Sequence, residues 1–135
     1  MKTKLTLIFI LSYFSIFAQD IKMSKNELTK LLCKEWKIDS IVVSGEKMTL
    51  GKSIQDSGIE FKNDNTFVEK PYLEKSDKRY WKYNVEKQCV ELFKNEKLIG
   101  TIKSVNNELL VYIPFLDGEA KKIVKSSEIY LKPIN

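Results

Sequence analysis

From Trp36 to the end of the chain, apolar and polar residues alternate, and turn signals recur roughly every 8–12 residues with no helix-length segment between them. That pattern constrains the fold more than any other feature. Strands joined by short connections pair with antiparallel neighbours, because parallel pairing needs a crossover of about a dozen residues or more. About eight such strands, each with one wet face, close most simply into an up-and-down barrel, with a two-sheet sandwich as the alternative.

The expected strands are Trp36 to Ser44, Gly58 to Lys62, Thr66 to Leu73, Lys78 to Val85, Gln88 to Lys94, Leu98 to Val105 and Glu108 to Phe115. A last strand falls within Ala120 to Lys132 and ends at Pro133. Gly45-Glu46, Asn63-Asp64-Asn65, Asn95-Glu96-Lys97, Asn106-Asn107 and Asp117-Gly118 supply turns. Pro71 marks an edge or bulge, and Met48 to Ser53 reads as a strand extension or a loop. Alternation nominates Ile59, Phe61, Phe67, Leu109, Val111, Ile113 and Leu131 for the core.

One helix precedes the strands. Ser24 and Glu27 form a capping-box signature, and Leu28, Leu31 and Leu32 follow at helical spacing, which predicts a helix over about Lys25 to Cys33. No second helix of comparable quality is visible. The expected fold class is therefore all-β with one short N-terminal helix, in an antiparallel up-and-down barrel of about eight strands.

Residues 1–18 read as a secretory signal peptide. Lys2 and Lys4 precede an apolar run from Leu5 to Phe17, and Ala18 offers a small residue for cleavage ahead of Gln19. The run falls short of the about 20 apolar residues a membrane span needs. The expected product is residues 19–135, a single domain exported to a periplasmic or extracellular location with no membrane span.

Export changes how the composition reads. Removing Lys2 and Lys4 takes the 23 basic side chains to 21 against 18 acidic, a net charge of +3. Arg79 is the single arginine, and nucleic-acid readers lean on arginine, so a nucleic-acid partner is not expected. The chain has no histidine, which removes Ser-His-Asp and Cys-His catalysis and the usual zinc sites. With five glycines and no glycine-rich phosphate loop, no cofactor is implied and no enzymatic site is expected. Cys33 and Cys89 are an even pair in an oxidising compartment. Both also sit in apolar contexts where buried thiols are ordinary, and the sequence leaves the disulfide open.

Several segments carry a family pattern. A short helix leads into Glu35-Trp36-Lys37, followed by Ile59-x-Phe61, Asn63-Asp64-Asn65-Thr66-Phe67 and Tyr80-Trp81-Lys82-Tyr83. Thr101-Ile102, Asn106 to Val111 and Ile129-Tyr130-Leu131-Lys132 complete it. The chain resembles the lipocalin-like domain proteins exported by bacteria, barrels of the calycin type. Lys34 stands where lipocalins usually carry glycine. Lys132 is the nearest equivalent of the arginine they pack over the first-strand tryptophan. The resemblance implies a cup that holds a small apolar ligand; on packing grounds Trp36 reads as a plug at its base rather than a ligand contact.

Arg79, Trp81, Tyr83 and Val85 share one face of the fourth strand. With Trp81 inward, as the resemblance implies, Arg79 lies near one rim and can hold the carboxylate of a fatty-acid-like ligand. Phe67 inward puts Glu69 inward too, where it can pair with Arg79 instead. Two classes of function stay open, beside a purely structural β domain with a filled interior. One is binding of a small apolar or amphipathic ligand by Arg79, Trp81, Tyr83, Phe67 and Glu69. The other is a protein-interaction module (inhibitor, immunity-type or envelope-associated) with a filled interior. Its surfaces are the loops Met48 to Gln55 and Leu73 to Lys78, and the clusters Lys75/Lys78/Arg79 and Lys121/Lys122/Lys125.

Overall fold

The computed structural model describes residues 21–71, 77–123 and 126–135. The expected signal peptide, Lys75, Lys125 and most of the loop from Leu73 lie outside these residues.

Helix α1 (Lys25–Leu32) begins with the expected capping box: Glu27 N–H donates to Ser24 Oγ (3.2 Å), and Ser24 N–H donates to Glu27 Oε2 (3.0 Å). Two otherwise orphaned donors are thereby satisfied at the helix start. Its Leu28 and Leu32 are fully buried. The strands follow as β1 (Glu35–Val43), β2 (Glu46–Lys47), β3 (Gly58–Phe61), β4 (Phe67–Lys70), β5 (Arg79–Asn84), β6 (Cys89–Lys94), β7 (Lys97–Val105), β8 (Leu110–Pro114) and β9 (Ser127–Pro133). Two short helices interrupt them: α2 (Lys52–Gln55) and α3 (Gly118–Ile123). Met48 to Ser53 is thus mostly approach to α2, and Asp117-Gly118 opens α3 rather than the last strand.

All pairings are antiparallel, in the order β4-β3-β1-β9-β8-β7-β6-β5, with β2 an appendage of β1. This is an eight-stranded, nearly closed up-and-down barrel, consistent with a lipocalin-like fold. Closure rests on a short seam. β4 and β5 meet through the bridge Thr66↔Tyr80, beside which Trp81 N–H donates to the Asn65 carbonyl (2.8 Å). Asn65 adopts a positive φ there (66°), which asparagine tolerates better than most residues.

The core occupies the α1 end of the barrel. Trp36, Phe61, Phe67, Trp81, Leu110 and Leu131 are among its buried side chains, packed with Leu28 and Leu32. Each indole N–H has a partner, as buried tryptophan requires: Trp36 Nε1–H donates to Leu32 C=O (2.9 Å) and Trp81 Nε1–H to Lys62 C=O (3.2 Å). Trp36 is fully buried. One expectation holds only in part: Val111 is buried, but Leu110 and Tyr112 join the core cluster, whereas Leu109 and Ile113 are only half-buried. The stretch Leu109 to Ile113 is apolar on both parities, so alternation alone does not choose its face. The irregularity in β7 between Ile102 and Ser104 and the fit of Tyr112 over Gly100 choose it. No helix among the described residues is long and apolar enough to cross a membrane.

Candidate functional site

The expected ligand residues separate into two groups. Phe67 and Trp81 are 1% and 2% exposed and serve as core. Tyr83 lies at the same end, its hydroxyl donating to the Met23 carbonyl (2.8 Å) with the Ile21 carbonyl at 3.2 Å. It therefore ties the lead-in segment to the barrel. Val85, expected on this inner face, is exposed because β5 ends at Asn84.

Arg79 and Glu69 stand toward the opposite end, at the β4–β5 seam. Arg79 Nε lies 3.7 Å from Glu69 Oε2 across the β4–β5 seam, and its Nη2 lies 3.3 Å from Asp77 Oδ2. Lys94 Nζ reaches the same Asp77 oxygen at 3.2 Å, and Asn95 Nδ2–H donates to Asp77 Oδ1 (2.8 Å). Two cations thus face two carboxylates, with Arg79 and Asp77 side chains only 10% and 11% exposed. The carboxylates that Arg79 holds belong to the chain itself. Desolvating a ligand acid beside this cluster gains no uncompensated charge. Tyr112, a member of the core cluster, feels the same carboxylate: burial first, and Glu69 second, push its phenol well above the usual range, so it stays neutral. Its ring packs on Gly100, where a Cβ would sit 2.5 Å from the ring and 2.6 Å from the Ile113 carbonyl. Asp77 is visible in the sequence only as an acid beside the Lys78–Arg79 cluster, and Lys94 escapes the sequence reading because it lies on the next strand.

A cleft of about 620 Å³ opens at this end between β8 and β9. Ile113, Pro114, Phe115 and Leu116 form its apolar side, and Lys121, Ser126, Ser127 and Glu128 its polar side. Phe115 is 51% exposed. Neither Arg79 nor Trp81 lines this cleft. Glu128 accepts from the Tyr130 hydroxyl (2.5 Å) and lies 3.8 Å from Lys103 Nζ. The Glu128 hydrogen bond leads the causes that push the Tyr130 pKa up to about 12. Of its lining, the sequence reading names Ile113 as a core candidate and Lys121 within a surface lysine cluster, without bringing the two together.

Three further expectations resolve. Lys132 does not cover Trp36: it is on the outer face and pairs with Asp39 (3.3 Å), because its neighbour Leu131 takes the inward position. Lys34 supplies the cation instead, its Nζ 5.4 Å from the Trp36 ring centroid. Cys33 and Cys89 are thiols, each half-buried, and not a bridge. Burial, with a smaller contribution from the Asp64 carboxylate, pushes the Cys33 thiol up, the opposite of an activated nucleophile. Lys78, Lys121 and Lys122 are exposed, and Lys122 pairs with Glu119 (3.0 Å). Among the described residues no group of three His, Cys, Asp or Glu side chains is placed to hold a metal.

Comparison of the chain with known protein families, with curated proteins and with solved structures returned no match.

Proposed function

We propose that the protein is an exported, lipocalin-like, non-enzymatic binding protein that takes a small apolar or amphipathic molecule at the open end of its barrel. One observation carries this reading: the α1 end is filled by its own side chains, while the opposite end keeps a cleft of about 620 Å³ with an apolar and a polar wall. That volume lies within the about 300–1,000 Å³ typical of small-ligand sites. Export is supported by the anatomy of residues 1–18. The non-enzymatic reading is supported by the absence of histidine and by the mutual pairing of Arg79, Glu69, Asp77 and Lys94. Titration with the fluorescent apolar anion 1-anilinonaphthalene-8-sulfonate tests the reading. Saturable binding to the folded protein, lost in Phe115→Asp, supports it; no saturable binding overturns it.

A second reading, a protein-interaction module with a protein or envelope partner, is favoured by the exposed apolar side chains Met48, Ile54 and Phe115. Cross-linking in the exported fraction that depends on Met48 and Ile54, with no small molecule in the native mass spectrum, would select it.

A further inference from the structure

The β8–β9 ladder stops early. Its last register pair is Tyr112↔Ile129, yet β8 continues to Pro114 beside β7 and β9 begins at Ser127 beside β1. The hydrogen bonds on the far edges explain this. Phe115 N–H donates to the Ile99 carbonyl next to β8, and Ser44 N–H donates to the Ser126 carbonyl next to β9, both at 2.8 Å. Main-chain groups alternate between the two edges of a strand. Those of Pro114 and Ser127 therefore turn toward each other across the cleft. The next rung needs an N–H from Pro114, and proline has none. The two walls diverge at that point, and the cleft opens between them.

We propose that this cleft binds a short extended peptide with an apolar side chain and a free carboxylate. The inference rests on the small-ligand reading and narrows it to one ligand class. The Pro114 carbonyl and the Ser127 N–H and carbonyl have no β8–β9 ladder partner among the described residues, and they offer an extended backbone the hydrogen bonds a strand edge offers. Ile113, Phe115 and Leu116 supply an apolar wall for one side chain.

Charge sets the other end of the ligand. Asp117 and Glu119 pair with Lys97 (2.9 Å) and Lys122 (3.0 Å), and Glu128 is engaged by Tyr130 and Lys103. Lys121 makes no ion pair among the described residues, and it lines the cleft. Its ammonium suits a carboxylate, and the cleft has room for a few residues but not for a folded partner.

The test uses three probes on the exported form: the tripeptide Ala-Leu-Phe, its C-terminal amide, and decanoate. Calorimetry reads affinity, and amide shifts in the NMR spectrum report location. Ala-Leu-Phe is expected to bind at one site, shifting the amides of Phe115 and Ser127, with its amide about ten-fold weaker. Lys121→Gln, an exposed change, is expected to bring the acid down to the level of the amide. Pro114→Val restores an N–H and is expected to slow exchange of the Ser127 amide while weakening the tripeptide. Equal binding of acid and amide, or no effect of Lys121→Gln or of Pro114→Val, overturns the proposal. Decanoate binding at Ser127 without tripeptide binding overturns the peptide class and leaves the small-ligand reading standing. No shift at Phe115 or Ser127 with any probe overturns both.

Discussion

At Gly58 a Cβ would sit 2.1 Å from the Trp36 carbonyl oxygen, a backbone atom held in the β1–β3 ladder. At Gly100 the obstacles are the Tyr112 ring at 2.5 Å and the Ile113 carbonyl oxygen, also backbone, at 2.6 Å. Each site meets a backbone carbonyl of a paired strand, which cannot rotate away as a side chain can, and the approach is closer at Gly58, so the two sites rank by that distance. Gly58→Ala is expected to cost about 3 kcal/mol and Gly100→Ala about 1–2 kcal/mol, within the range for overpacking. Urea denaturation checks the order, and a smaller loss at Gly58 would contradict it. Tyr130 offers a second test at this scale. Its phenol is raised to about 12 mainly by the hydrogen bond to Glu128. A raised folded pKa means the stabilisation is complete below the unfolded value of about 10 and is lost as pH climbs from there through about 12. Titrating phenolate absorbance should show Tyr130 among the last tyrosines to ionise, and Glu128→Gln should bring it back toward about 10. An unchanged titration would mean that Glu128 is not the cause.

Elements were legible where two signals agreed. For α1 the capping box fixes the start and the leucine spacing fixes the buried face, so sequence and structure coincide. α2 and α3 have four and six residues, too short to repeat an apolar spacing, and the turn residues at their starts mask them. The strands were legible because alternation and turn chemistry agree. The β8 face was not, since both parities there are apolar and the choice lies with β7 across the ladder. Pro114 was visible in the sequence, but its effect depends on which strand its missing N–H would have met. The capping box itself can be tested. Ser24→Ala is expected to cost about 1 kcal/mol. Because the two hydrogen bonds are reciprocal, adding Glu27→Ala should cost less than the sum of the two single changes. Additive losses in urea denaturation would show that the two bonds act independently.

Across the whole molecule, stability and the open site occupy opposite ends. Trp36, Phe67 and Trp81 fill the α1 end, while Phe115, Lys121 and Ser127 line a cleft outside the core cluster. The sequence could put Arg79, Trp81 and Tyr83 on one strand face, but it could not say that the barrel is filled below Arg79. Nor could it say that Asp77 and Glu69 already meet the arginine's charge. Those facts depend on residues brought together by the barrel's closure. The division predicts that two properties separate on mutation. Trp81→Ala removes a fully packed indole and should cost about 3–5 kcal/mol. Under conditions where that variant stays folded, its preference for Ala-Leu-Phe over the amide should be unchanged. Phe115→Ala removes a half-exposed ring and should shift stability by no more than about 0.5 kcal/mol, yet weaken every ligand of the cleft. Urea denaturation and calorimetry on the same two variants decide the matter. If Trp81→Ala abolishes the preference in folded protein, or Phe115→Ala unfolds the chain without touching affinity, the two ends are coupled and the cleft is not an independent site.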